Sequence, residues 1–139
     1  MTELVPSPFD GEPSNFAETL GLVDEGQGDG WARVRMPIRQ RHLRGTAPDS
    51  GIQGGMVVAL ADHAFTRASY SLLPEGASTT TVEIKMNFIA SATDGDLIAE
   101  CRILHRGRRT LVGDLVVTDS RGRLIAKGLG TNLVIERLG

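Results

Sequence analysis

The sequence predicts an α+β fold in which a curved antiparallel sheet wraps around one long central helix. The first observation is the segment 55–70, where apolar residues recur with the period of a helix and cover most of its girth. The second is a series of later segments in which apolar and polar residues alternate between short turns, which favours antiparallel strands. A helix that is apolar on nearly all sides must be covered on nearly all sides, so the simplest arrangement places the sheet around it.

The individual elements follow in order along the chain. Asn15 is in position to cap a short helix that ends near Leu20, with Glu18 three residues later. Gly26, Gly28 and Gly30 then indicate a turn. The predicted strands are 31–38, before the long helix, and 79–89, 97–105, 110–118 and 124–135 after it, with a loop at 39–53.

Length and composition indicate one domain over residues 1–139, with an irregular N-terminal arm at 1–13 that holds three prolines. The formal net charge of −2 argues against a nucleic-acid partner. Cys101 is the one cysteine, so no intrachain disulfide can form. No secretory signal and no apolar run of about 18 residues is present, so we expect a cytoplasmic protein. Three histidines without ligand spacing predict no metal site.

The segment from Gln53 to Asp62 carries the candidate chemistry. Gly54 and Gly55 let a ligand approach the start of the helix, where unpaired N–H groups and the helix dipole polarise a carbonyl. Asp62 lies on an otherwise apolar helix, where an unpartnered carboxylate is costly. Its partner is either an attacking water, held with help from Thr66 one turn later, or a structural group.

The structural alternative remains open on the residues alone. Asp62 then pairs with His63, Arg67 or a backbone amide, and the two glycines form a tight junction between loop and helix. In the chemical alternative, we expect Asp62 to share one small cavity with the amides that begin its own helix.

The run Gln53-Gly54-Gly55 followed by Leu60-Ala61-Asp62 resembles the signature of the PaaI-type acyl-CoA thioesterases of the hotdog superfamily. The resemblance extends over about residues 16–135. It implies a hotdog fold and metal-free, cofactor-free hydrolysis of an acyl-CoA to a free acid and coenzyme A. It also implies a homodimer or a dimer of dimers, a homotetramer, with sites at the subunit interface.

The resemblance also assigns roles to individual residues. It implies that Asp62 is the catalytic general base or nucleophile and that the Gly54 amide polarises the thioester, with Gln53 and Gly55 beside the substrate. It further implies that Thr81 assists the water and comes from the neighbouring subunit.

Two departures from the family pattern keep other functions open. Gln53 stands where a histidine is common, and Ala47 falls near the place of a frequent asparagine. Glutamine forms hydrogen bonds but does not titrate, so this position is neither acid nor base. The alternatives are a non-catalytic acyl-CoA-binding module and a hotdog enoyl-CoA hydratase or dehydratase.

Two basic segments are candidates for phosphate binding. Gly107, Arg108 and Arg109 lie in a predicted break between strands, where the resemblance places coenzyme A phosphates and where the alternative is a solvated turn. A second basic loop surrounds His42, with Arg39, Arg41 and Arg44, and we expect it to be solvated.

Overall fold

The computed structural model describes Pro8 and residues 10–136. Most of the predicted irregular arm, residues 1–7 and 9, lies outside the described part, so that expectation stays a prediction. The elements are α1 (Phe16–Leu20), β1 (Val23–Gly28), β2 (Trp31–Pro37), a short 3-10 helix (Gln40–His42), α2 (Gly54–Tyr70), β3 (Ser78–Phe88), β4 (Asp96–Arg106), β5 (Thr110–Asp119) and β6 (Leu124–Ile135).

The six strands form one antiparallel sheet in the order β1-β2-β4-β5-β6-β3, and α2 packs against it. The inward residues of β2, β4 and β5 are buried at every second position, as the alternation predicts. The predicted α+β fold with a curved antiparallel sheet around a central helix is therefore confirmed. This order makes β1 and β3 the two edge strands of the sheet, each with one edge that no other described strand pairs with.

The predicted turn over Gly26, Gly28 and Gly30 is wrong for most of its length. The segment Val23–Gly28 is a strand that pairs with β2, with a register shift between Asp24 and Gly26. The turn is confined to Asp29 and Gly30, both of which have positive φ, as a two-residue hairpin requires. All six residues of β1 are exposed, so no alternation of apolar residues marks the strand.

Phe65 fixes how α2 lies on the sheet. Its ring is fully buried against Gly113 of β5 and Gly130 of β6, which are directly paired. A Cβ at Gly130 would lie 2.4 Å from Phe65 Cε2, and a Cβ at Gly113 would lie 2.8 Å from Phe65 Cε1. Because only glycine leaves room for the ring, this contact sets the rotation of α2 and thereby the direction of its polar residues.

His42 is buried, contrary to the expected solvated loop. Its Nδ1 accepts a hydrogen bond from the Arg39 backbone N–H at 2.9 Å, so Nε2 carries the proton and donates to the Leu20 carbonyl at 2.9 Å. Burial lowers the pKa of His42, with the charges of Arg41 and Arg39 acting in the same direction. The neutral ring therefore ties the end of α1 to the loop that leads into α2.

Candidate active site

Asp62 is partly buried on α2 and is held by a threonine of the facing strand. Thr81 Oγ1 donates a hydrogen bond to Asp62 Oδ1 at 2.8 Å. Thr81 lies on β3, where the register with β6 shifts between Thr81 and Glu83. This contact forms within one chain, which corrects the expectation that Thr81 comes from the neighbouring subunit. A carboxylate that accepts one fixed hydrogen bond keeps its other oxygen free to accept a proton.

The structural alternative for Asp62 placed it in an ion pair with His63 or Arg67. Both of those side chains instead bind Asp24 of β1. His63 Nε2 lies 3.1 Å from Asp24 Oδ1, and Arg67 Nη2 contacts Asp24 Oδ2. Partial burial raises the pKa of Asp24, but the hydrogen bonds and charges of Arg67 and His63 outweigh it and leave that pKa lowered. Within residues 10–136, the Asp62 side chain has no ion pair.

A pocket of about 440 Å³ opens at the start of α2. Gly54 forms part of its wall, and the ring of Phe88 lies against it, with Phe88 Cζ 3.4 Å from where a Gly54 Cβ would be. The first amides of the helix have no intrahelical partner, so they are available as donors in this pocket. The lining residues are Arg44, Ile52, Gln53, Gly54, Val57, Phe88, Ile89, Ala90, Ser91 and Ile125.

Asp62 does not line the pocket at Gly54. The two residues are eight positions apart on one helix, which separates them by about 12 Å along its axis. One chain therefore does not bring the carboxylate and the amide to a single thioester, contrary to the expectation of one shared cavity.

The remaining candidates lie either beside Asp62 or at the pocket that opens at the start of α2. Thr66 is partly buried one turn beyond Asp62, whereas Gln53 is exposed at the N-cap and lines the pocket. Gly55 is exposed, with open space where a Cβ would be. Cys101 is buried, and desolvation, followed by the charge of Asp114, raises the pKa of its thiol to about 12, so it is a poor nucleophile.

The predicted break at Gly107 is the turn between β4 and β5. The Gly107 N–H donates to the Thr110 carbonyl at 2.8 Å, and Arg108 and Arg109 are exposed beside it. Gly107 and Arg108 line a small pocket together with Leu73 and Pro74, which follow the end of α2. The basic turn thus lies at the opposite end of this 17-residue helix from Gly54, about 25 Å away along the axis.

Several pocket residues were not identified from the sequence. Phe88 and Ser91 gave no signal of their own, since one ends a regular strand pattern and the other lies in a small-residue loop. Asp24 was missed because the strand that carries it was not recognised. In the described part of the chain, no group of three metal-ligating side chains is present. None of the helices described there combines the length and the hydropathy of a membrane span.

A six-stranded antiparallel sheet around one long helix, with glycines at the helix start and a carboxylate in its middle, defines a hotdog-fold protein. The family model of the thioesterase superfamily matches residues 52–126. The chain therefore belongs to the thioesterase superfamily and is a PaaI-type thioester hydrolase, as the resemblance implied.

Known proteins resemble it over most of their length. A solved structure of a conserved protein from Pseudomonas aeruginosa is 34% identical, with a TM-score of 0.80, covering 88% of this chain and 94% of that one. The PaaI protein of Escherichia coli is 25% identical, with a TM-score of 0.78 and coverage of 86% and 83%. The 1,4-dihydroxy-2-naphthoyl-CoA hydrolase of Escherichia coli K12 is 27% identical, with coverage of 87% of each chain.

Proposed function

We propose that the protein hydrolyses acyl-CoA thioesters to a free carboxylic acid and coenzyme A, with Asp62 as general base or nucleophile. The observation that carries the proposal is a partly buried carboxylate that is oriented by Thr81 while the neighbouring His63 and Arg67 are bound to Asp24. As general base, Asp62 takes a proton from water as the water attacks the thioester carbon; the C–S bond then breaks, and the coenzyme A thiolate leaves and takes up that proton. As nucleophile, the carboxylate displaces the coenzyme A thiolate and forms a mixed anhydride, which water hydrolyses to the free acid and the regenerated carboxylate.

The Gly54 amide supplies the second requirement of the reaction, which is stabilisation of the negative charge on the carbonyl oxygen. An N–H at the start of a 17-residue helix combines a free donor with the positive end of the helix dipole. Loss of one such donor costs roughly 10²–10³ in rate in other hydrolases. Phe88 lies against Gly54 on one side, so the donor is next to an apolar ring in the pocket.

Two copies of the chain are needed to complete the site, because Asp62 and Gly54 are about 12 Å apart on one helix. The free edge of β3 supports a homodimer, since it exposes Val82, Phe88 and Ile89 at 62%, 54% and 59%. Antiparallel pairing of two β3 edges about a two-fold axis between Ile84 and Lys85 sets Thr81 of one copy opposite Phe88 of the second. The carboxylate of one copy then meets the helix start of the other.

A dimer of dimers stays a prediction. It is supported by the outer face of the sheet, which exposes Leu104, Leu129 and Leu133 at 60%, 49% and 36%.

The basic turn at Gly107, Arg108 and Arg109 is proposed to bind coenzyme A phosphates across the interface. The dimer brings the turn of one copy nearer to Gly54 of the other. Coenzyme A as the leaving group is supported by the Escherichia coli K12 relative, which is a 1,4-dihydroxy-2-naphthoyl-CoA hydrolase.

The test is the rate of thiol release from a panel of acyl-CoAs by Asp62→Asn and Asp62→Ala. We expect kcat to fall by roughly 10²–10⁴, the usual contribution of a positioned acid or base, with circular dichroism unchanged. Asp94→Asn, at an exposed turn, is the matched control and keeps full activity. Turnover like wild type in both Asp62 variants would remove Asp62 from the mechanism. Coenzyme binding without thiol release by the wild type would identify a binding module instead.

A further inference from the structure

We infer that Arg44 and Ser91 form an anion-binding rim on the pocket beside Gly54, and that its ligand is a phosphate group of coenzyme A. This inference rests on the proposed function, because it locates the leaving group of the same reaction. It assigns a phosphate-binding role to one residue of the basic loop around His42, which the sequence analysis expected to be solvated.

Arg44 is anchored at the edge of the pocket, and its terminal nitrogens have no partner among the described residues. Its Nε donates to the Ser50 carbonyl at 3.0 Å, which fixes the plane of the guanidinium, and its side chain lines the pocket. Within residues 10–136, no carboxylate lies within ion-pair distance of it, whereas Arg67 and Arg123 are bound to Asp24 and Asp119. A fixed, unbalanced guanidinium presents a ready donor pair to an incoming anion.

Gly51 brings Arg44 and Ser91 together. Its φ of 76° is in the left-handed region, and a Cβ there would lie 2.6 Å from Ser91 Oγ and 3.2 Å from Arg44 Nη2. A side chain at position 51 would therefore displace both donors. The Ser91 segment is fixed in turn by Arg123, whose Nη2 donates to the Ser91 carbonyl at 2.6 Å while Asp119 balances its charge.

The distribution of polarity in the pocket matches the leaving group. Ile52, Val57 and Ile125 give its inner wall an apolar character, and the charged donor lies at its mouth. A ligand whose thioester reaches the Gly54 amide extends from there along this wall toward the rim. Coenzyme A joins its thiol to phosphates through a flexible, weakly polar arm, so its anionic part emerges at Arg44. Within one chain the rim lies at the same end of α2 as Gly54, whereas the proposed site at the Gly107 turn reaches Gly54 only of another copy.

The experiment compares two probes by calorimetric titration, namely coenzyme A and pantetheine, which has the same thiol arm without phosphate. Arg44→Ala is expected to weaken coenzyme A binding about tenfold, the effect of losing one charged contact of roughly 1.4 kcal/mol, and to leave pantetheine binding unchanged. Arg41→Ala removes the same charge from the same loop at an exposed position outside the pocket, so it serves as the matched control. Added salt weakens coenzyme A binding to the wild type more than to Arg44→Ala.

Equal weakening of both probes, or unchanged coenzyme A affinity in Arg44→Ala, would overturn the inference. If Arg44→Ala keeps its coenzyme A affinity while Arg108→Ala loses it, the phosphates bind at the Gly107 turn and not at the rim. The titration does not depend on turnover, so its outcome is separate from that of the thiol-release assay. Arg44-dependent binding in a protein that releases no thiol supports the rim and rejects the hydrolase.

Discussion

Replacing Gly130 by alanine is expected to destabilise the protein because the new methyl group overlaps the buried ring of Phe65. The added Cβ would lie 2.4 Å from Cε2 and 2.7 Å from Cδ2 of that ring, closer than side-chain carbons approach in folded proteins. The ring cannot retreat, since Gly113 of the paired strand lies close to its opposite edge, at Cε1 and Cδ1. Overpacking of this kind costs about 1–3 kcal/mol, and we expect the upper half of that range because both contacts are with one rigid ring.

The assay is urea denaturation at fixed protein concentration, followed by circular dichroism. In a thermal scan, the same loss of 2–3 kcal/mol in the free energy of unfolding would lower Tm by roughly 4 °C per kcal/mol for a chain of this length. Gly28→Ala is the matched control, because Gly28 is an exposed strand residue with no atom within 4 Å of its added Cβ. We expect that variant to remain within about 0.5 kcal/mol of the wild type, as surface substitutions usually do.

A second variant decides whether the ring is the cause. Phe65→Leu alone loses buried surface, but combined with Gly130→Ala it makes room for the new methyl group. The double variant is therefore expected to be more stable than the sum of the two losses predicts, by about 1 kcal/mol or more. Unchanged stability of Gly130→Ala, or strict additivity in the double variant, would refute the account of how α2 is seated on the sheet.

Two further predictions concern His42 and Thr81. Burial lowers the pKa of His42 in the folded protein, so the unfolded chain binds a proton at a higher pH than the folded chain does. The stability contributed by the neutral ring is therefore complete above about pH 6.5, and it is lost as the pH falls below that value. Urea midpoints measured between pH 5 and 8 should fall toward acid in the wild type, and less so in His42→Gln; identical slopes would contradict this role. Thr81→Val is expected to lower kcat about tenfold by removing the hydroxyl that orients Asp62, whereas Thr81→Ser retains most activity. Wild-type activity of Thr81→Val, or a larger loss in Thr81→Ser than in Thr81→Val, would contradict this role of the hydroxyl.

The parts of the fold that the sequence predicted are those whose side chains alternate between core and solvent. The helix expected at 55–70 is Gly54–Tyr70, and the last strand expected at 124–135 is Leu124–Ile135. α2 presents an apolar face to the core, so periodicity reports it directly. β6, whose Leu129 and Leu133 are exposed, is delimited instead by the turn that precedes it. β1 has no buried residue, and its pairing with β2 rests on backbone hydrogen bonds that leave no pattern in the sequence.

The residues proposed for the site can be read along the sequence, but their contacts cannot. Glycines at a helix start and a carboxylate on an apolar helix are visible along the chain, and the family resemblance gave them roles. The partner of His63 and Arg67 was not visible, because Asp24 lies far away in the sequence on the unrecognised strand. The burial of His42 was missed for a similar reason, since its acceptor is a backbone carbonyl of α1, to which no side-chain pattern points.

Mixing two inactive variants tests most directly whether one thioester lies between Asp62 of one copy and Gly54 of another. Asp62→Asn lacks the carboxylate, and Gly54→Val fills the pocket in front of the amide. If the dimer proposal holds, unfolding and refolding the two together restores about a quarter of wild-type thiol release, because half of the randomly formed dimers contain one intact site of two. If each chain carried a complete site, every site in the mixture would keep one defect, and no activity above that of the separate variants would return.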